Sequence, residues 1–167
     1  VLINEEQINN RLDELANQLM EEYKGKDIMF LCILKGSVFF TVELAKRIKN
    51  NIQFEFIEVS SYENNESTGK IKLNKDITGS IEGKNVIIIE DIVDTGGTIE
   101  ELHKILTNAG AADVKICTLM YKPGSYSKEI PIDYIANSIP NDFILGFGLD
   151  YDQLGRQYKD IYVIDEQ

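Results

Sequence analysis

Val86-Ile87-Ile88-Ile89 runs without a polar interruption and ends at Glu90 and Asp91. A half-exposed strand alternates apolar and polar residues, whereas an unbroken run belongs to a strand covered on both faces. That requirement points to a parallel sheet with helices packed on either side. Ile28 to Leu34 is a second continuous run of strand length, and Val114 to Met120 is a third. Ile52 to Val59 alternates through Ile52, Phe54 and Phe56, while Ile132 to Ile135, Phe143 to Leu145 and Ile161 to Ile164 are shorter candidates.

Helical spacing separates these runs. Asn4 is a good N-cap with Gln7 at the capping-box position, and Ile8, Leu12, Leu15, Leu19 and Tyr23 recur at helical intervals up to Gly25. Val38, Val42, Ala45 and Ile48 predict a second helix, and Ile99, Leu102, Ile105, Leu106 and Ala109 a third, closed by Gly110. The alternation predicts an α/β fold with a parallel sheet core, whose ligands gather at the carboxyl ends of the strands. The stretch from Ser60 to Gly83 is polar apart from one short alternating piece and predicts a mobile lid or a loose hairpin.

Composition excludes several function classes. The chain has 167 residues, 43% of them hydrophobic, which suits one domain over residues 1–167 with a core of its own. No apolar run reaches the ~20 residues needed to cross a bilayer, so no membrane partner is expected. The net charge of −11 argues against nucleic-acid binding, which depends on basic patches. A single histidine, His103, excludes mechanisms built on a histidine cluster and reads as a solvated helix residue. Cys32 and Cys117 sit inside apolar runs and read as small buried hydrophobes rather than a disulfide. With no basic-then-apolar opening segment, a reducing, cytoplasmic location is expected.

The chemistry concentrates after the Val86 run. Glu90 and Asp91 are followed by two apolar residues and then Asp94-Thr95-Gly96-Gly97-Thr98, where a helix starts. Glycines and hydroxyls at a helix N-terminus let backbone amides point at an anion, with the helix dipole adding to the attraction. This is a phosphate cradle by chemistry, although it lacks the lysine of a P-loop and the pattern Gly-x-Gly-x-x-Gly. Beside an anion, Glu90 and Asp91 suit ribose hydroxyls or a Mg²⁺ shell, and Asp94 suits a general base. The plain alternative is a Thr-capped helix following a strand, with solvated acids.

Five motifs in order carry a resemblance that extends from about Leu34 to Ile164. The acidic stretch resembles the phosphoribosyl pyrophosphate signature of the type I phosphoribosyltransferases. Leu34-Lys35-Gly36-Ser37 resembles the pyrophosphate loop of the hypoxanthine–guanine branch, and Ser61-Tyr62 with Ser67-Thr68-Gly69 resembles its catalytic lid. Lys122 sits where that branch keeps its base-recognising lysine. Ile139 to Gly146, with Leu149-Asp150-Tyr151 and Arg156, resembles its purine-binding hood.

The resemblance implies a type I phosphoribosyltransferase fold, with a lid at about residues 60–80 and a hood formed by the N-terminal segment and about residues 135–167. It implies transfer of a 5-phosphoribosyl group from phosphoribosyl pyrophosphate to hypoxanthine or guanine, giving IMP or GMP in purine salvage. Asp94, Thr95, Gly96, Gly97 and Thr98 would cradle the 5′-phosphate, and Asp94 would also take the proton from the incoming base. Glu90 and Asp91 would hold the ribose hydroxyls and through them one Mg²⁺, with Asp150 binding a second. Lys35 and Gly36 would offer amides to the pyrophosphate, with a non-proline cis peptide between them and Gly36 relieving side-chain clash. Ser61 and Tyr62 would close over the site. Lys122 would donate to the 6-oxo group, Phe143 would stack on the purine, Ile144 would offer backbone contacts and Arg156 would hold pyrophosphate. Family members form homodimers or homotetramers.

Two other functions fit the same motifs: a xanthine-preferring enzyme, and a regulator that binds nucleotide or phosphoribosyl pyrophosphate without turnover. Taken singly, Lys35-Gly36-Ser37 also fits a strand-to-helix turn capped by Ser37, Lys122 a surface lysine, Phe143 a core residue and Asp150 a turn acid. Two positions depart from the family pattern. Tyr126 stands where many members carry arginine, with Lys128 the nearest downstream cation, and Ala136-Asn137 stands where Gly-Phe is expected.

Overall fold

The computed structural model describes residues 1–60, 72–73 and 81–165. Three helices and eight strands follow one another: α1 (Glu5–Glu22), β1 (Ile28–Leu34), α2 (Val38–Ala45), β2 (Ile52–Ser60), β3 (Lys72–Leu73), β4 (Asn85–Val93), α3 (Gly97–Asn108), β5 (Asp113–Tyr121), β6 (Tyr134–Ser138), β7 (Ile144–Leu145) and β8 (Tyr162–Val163). Six strands form one sheet in the order β3-β2-β1-β4-β5-β6. All its pairings are parallel except that of the edge strand β3 with β2.

The central strand is β4, and Val86 to Ile89 are fully buried, as their unbroken apolar run requires. One layer of core covers the sheet with α1 and α2; the other contains Ile99, Leu102 and Leu106 of α3. Cys32, Ile89 and Cys117 occupy one rung across β1, β4 and β5, and both thiols are buried and free. Burial pushes the Cys32 thiol up to about 12 and raises that of Cys117 further.

Helix α1 begins as its sequence predicts. The Asn4 side chain accepts from the Gln7 amide at 2.8 Å, and the Gln7 side chain accepts from the Asn4 amide at 2.9 Å. Such a cap contributes about 1 kcal/mol. Ile8, Leu12, Leu15 and Leu19 face the sheet, each worth about 1.5–3 kcal/mol of burial. At its far end the Tyr23 hydroxyl donates to Asp113 at 2.8 Å, and Glu22 pairs with Lys115 and accepts from Tyr134.

Helix α2 turns a different face inward from the one predicted. Phe40, Thr41 and Leu44 are buried, while Val42 is exposed and Ile48 lies beyond the helix end. The helix is apolar on nearly every side, so spacing alone could not select its buried stripe.

Strand β4 also departs from expectation, because it continues through Glu90 and Asp91 to Val93. Parallel pairing with β5 persists there, with Glu90 opposite Thr118 and Ile92 opposite Met120. The acids are therefore strand residues. Strand β6 starts later than expected, at Tyr134, because Asp133 turns to accept the Ile116 amide at 2.8 Å. His103 is half-buried rather than solvated.

A second, small sheet pairs β7 with β8 in antiparallel fashion. Beside it Ile3 bridges Ile161, with the Ile161 amide donating to the Ile3 carbonyl at 2.8 Å. The N-terminal segment thus joins residues 144–163 over the carboxyl end of the main sheet. Among the described residues no helix is long and apolar enough to cross a membrane.

Candidate active site

Four segments meet at the carboxyl ends of β1, β4 and β5: residues 34–37, 90–98, 122–128 and 143–156. The first leaves β1 through a cis peptide between Leu34 and Lys35, one bond earlier than the resemblance implied. Gly36 has a separate reason to lack a side chain. A Cβ on it would lie 1.8 Å from Asp91 Oδ2, so the loop presses directly on the acidic strand end. Ser37 precedes α2, but its hydroxyl makes no capping bond and is buried without a protein partner among the described residues.

Glu90 and Asp91 occupy different environments although they are adjacent. Glu90 is 8% exposed, and burial, then the neighbouring Asp91 charge, raises its carboxyl well above the usual range. Asp91 is half-buried and accepts from the Ile92 amide at 2.8 Å. After Val93 the chain turns through Asp94 and Thr95 to Gly96, whose φ of 94° lies in the left-handed region. From there α3 begins, and its first amides have no partner within the helix. A cavity of about 120 Å³ sits here, lined by Glu90 and residues 92–99. Its amides and hydroxyls suit a phosphate group.

Lys122 leaves the end of β5 and is nearly buried, against the alternative of a surface lysine. Its ammonium lies 3.9 Å from Asp94 Oδ2 and 5.9 Å from the centre of the Phe143 ring. Phe143 is 63% exposed, so it is no core residue; it offers a face to the space above Lys122 and Asp94. Ile144 is buried and pairs with Val163 in the small sheet.

Arg156 and Asp150 are held together. The guanidinium donates to the Gly148 carbonyl at 2.7 Å and stands 3.5 Å from Asp150, which also accepts from the Gln153 amide at 2.9 Å. Gly148 touches the first segment, since a Cβ there would lie 2.1 Å from the Gly36 carbonyl oxygen. Sequence reasoning did not single out Gly148. Its signal was the alternation Gly146-Phe147-Gly148, where all three residues take positive φ.

The structure therefore gathers Lys35, Gly36, Glu90, Asp91, the Asp94–Thr98 loop, Lys122, Phe143, Ile144, Asp150 and Arg156 around one end of the sheet. Ser61, Tyr62 and the Ser67-Thr68-Gly69 motif lie outside the described residues. Among the described residues no three acids, histidines or cysteines converge as a metal cage, Glu90, Asp91 and Asp150 included. At the departure Ala136-Asn137, Arg11 donates to the Ala136 carbonyl at 2.6 Å, and Asn137 Nδ2 is buried without a partner among the described residues.

A larger cleft of about 510 Å³ lies at the opposite ends of β1, β2 and β4. Within it Lys84 donates to Gln53 at 2.6 Å and Asn51 to Asp27 at 3.1 Å. Sheets of this kind hold their ligands at the other, carboxyl end.

A mainly parallel sheet with a small amide-lined cavity after its central strand and a cap over the strand ends is the arrangement of a phosphoribosyl transferase domain. Residues 3–152 match the family model of the phosphoribosyl transferase domain, and the chain belongs to that family. It is 42% identical to a hypoxanthine-guanine phosphoribosyltransferase of Streptococcus thermophilus, with 100% of this chain and 93% of the relative covered. Among solved structures, a hypoxanthine phosphoribosyltransferase of Staphylococcus aureus superposes with a TM-score of 0.94 at 40% identity, covering 99% of this chain and 90% of that one. A hypoxanthine-guanine phosphoribosyltransferase of Bacillus anthracis gives 0.93 at 38%, covering 98% and 96%.

Proposed function

We propose that the protein is a hypoxanthine-guanine phosphoribosyltransferase of purine salvage. It moves the 5-phosphoribosyl group from phosphoribosyl pyrophosphate to hypoxanthine or guanine, giving IMP or GMP and pyrophosphate. The observation that carries this is the meeting of Lys122, Asp94 and Phe143 beside a phosphate-sized cradle.

The ring nitrogen of the base forms a bond to the anomeric carbon as the bond to pyrophosphate breaks. The base loses its imidazole proton to Asp94, which lies between the cradle and Lys122. Lys122 can only donate, so it accepts a 6-oxo base and disfavours the 6-amino group of adenine. Phe143 stacks on the purine, and Ile144 contributes backbone. Amides and hydroxyls of Thr95 to Thr98 hold the 5′-phosphate; Lys35, Gly36 and Arg156 face the leaving pyrophosphate, with Arg suited by its planar fork. Ser61 and Tyr62 belong to the lid that excludes water.

The acids fit Mg²⁺, which takes one or two carboxylates together with substrate oxygens rather than a full protein cage. Glu90 and Asp91 would hold one ion through the ribose hydroxyls, and Asp150 another. When bound, Mg²⁺ neutralises the donor's negative charge. Two buried free thiols suit a cytoplasmic enzyme. Exposed Phe39, Val42 and Phe54 suit a homodimer or homotetramer.

The test is product formation from hypoxanthine, guanine, xanthine and adenine with the donor and Mg²⁺. Hypoxanthine or guanine should lead, with adenine poor. Equal use of adenine would overturn the role of Lys122.

A further inference from the structure

The segment after Lys122 folds back onto the phosphate loop. A Cβ on Gly96 would lie 2.5 Å from Tyr126 Cε2 and 2.8 Å from Lys128 Cγ, so these two side chains occupy the space beside the glycine. The Ser127 amide and hydroxyl both lie 3.4 Å from the Thr95 carbonyl, to which they donate. Lys128 Nζ stands 3.5 Å from Glu100 in the first turn of α3.

Tyr126 is itself fixed. Its hydroxyl donates to the Ile130 carbonyl at 2.5 Å, its amide to the Lys122 carbonyl at 3.2 Å, and its ring meets Tyr121 edge-on at 5.6 Å. A flat, immobilised ring is thus packed against the one residue of the loop whose backbone is left-handed. Gly96 would otherwise be the freest point of the cradle, because a glycine visits many backbone conformations at little cost.

We propose that Tyr126, supported by the stem of Lys128, is a positioning residue for the donor's 5′-phosphate, holding Gly96 so that the following amides face the cradle. The proposal rests on the phosphoribosyl-transfer reading of the site. It assigns the ordering of the phosphate loop to packing at Gly96. The same segment starts at Lys122, so the side chain that orders the phosphate loop is tied to the one that receives the base.

The test compares Tyr126→Phe, Tyr126→Leu, Tyr126→Ala and Lys128→Met with the wild type in full-length enzyme. For each, kcat, KM for the donor, KM for the base and Tm are measured, together with calorimetric affinity for ribose 5-phosphate. Tyr126→Phe keeps the ring but loses the bond to the Ile130 carbonyl, so its Tm should fall slightly while its donor KM rises less than that of Tyr126→Ala; Lys128→Met keeps the stem and should leave donor KM within about 2-fold of wild type. Tyr126→Ala should raise the donor KM and weaken ribose 5-phosphate by roughly 10-fold, within the range expected for slight misplacement of a binding group, while the base KM moves far less. Tyr126→Leu fills the space without a flat face and should fall between the two; it also serves if the alanine variant does not fold. A lower Tm with unchanged donor KM and ribose 5-phosphate affinity would reduce Tyr126 to a packing residue and overturn the proposal. Equal loss for donor and base would do the same. Wild-type protein that consumes the donor with no purine would instead refute the reading of the reaction, and ribose 5-phosphate affinity would still decide the role of Tyr126.

Discussion

The Lys122 ammonium and the Asp94 carboxylate face each other across 3.9 Å, one nearly buried and the other half exposed. The distance is that of an ion pair without a hydrogen bond, and pairs with an exposed partner contribute little. Either group can therefore turn to a substrate at small cost. A 6-oxo purine entering between the Phe143 ring and this pair would take a hydrogen bond from Lys122 and offer its imidazole proton to Asp94.

Asp94→Asn keeps the shape but cannot accept a proton. Turnover should fall roughly 10²- to 10⁴-fold, the span usual for loss of a general base. Donor KM should change much less, since amides rather than this side chain build the cradle. Steady-state kinetics on the one variant check both, and near-normal kcat would leave Asp94 as a turn residue before α3.

Gly36→Ala tests the contact between the Lys35–Ser37 loop and the acidic strand end. The added methyl would meet Asp91 Oδ2 at 1.8 Å and Cγ at 2.5 Å, so the carboxylate must move. Donor KM should rise roughly 10-fold or more, as a misplaced binding group commonly costs. An unchanged KM would show that Asp91 swings aside without consequence for the donor.

Chelation tests the metal role. The donor is a polyanion and the protein carries −11, so removal of Mg²⁺ should abolish turnover and donor binding together. Assay after exhaustive chelation, with Mg²⁺ restored as control, measures it. Undiminished turnover would show that the local cations suffice.

Asp133 gives a pH dependence remote from the site. Burial raises its carboxyl above the usual value near 3.8, and the bond from the Ile116 amide only partly offsets this. The folded state then holds a proton that the unfolded chain has released, so this group's contribution falls as pH rises above about 3.8. Asp133→Asn can still accept from Ile116 and carries no charge. Its Tm should gain on wild type as pH rises above about 3.8, whereas a pH-independent difference would contradict the raised carboxyl.

Much of the fold was legible because its strongest signals were local. The Asn4–Gln7 box marked the start of α1, and the unbroken Val86 run marked a strand with two covered faces. Glu90 and Asp91 hid the true end of β4, since their polarity reads as loop while a strand ladder needs only backbone amides. The inward face of α2 was hidden for the opposite reason, being one apolar stripe among several. At the site, the family resemblance named the four described segments that meet near the strand ends, while the Ser61-Tyr62 segment lies outside the described residues. The contacts of Gly36 with Asp91, Gly148 with Gly36, and Tyr126 with Gly96 were not legible. They join residues far apart in sequence, through glycines whose partners no local pattern reveals.

The rung that places Cys32 and Cys117 on either side of Ile89 has a practical consequence. Two strand spacings separate their backbones by roughly 9–10 Å, beyond the reach of a disulfide. Each thiol is also shut away from solvent and held protonated. A thiol-reactive dye therefore finds nothing to modify in the intact molecule and two groups once the central strands part. The sheet carries its own chemical stopwatch: the rate of dye uptake measures how often β1, β4 and β5 separate, with no label introduced and no residue replaced.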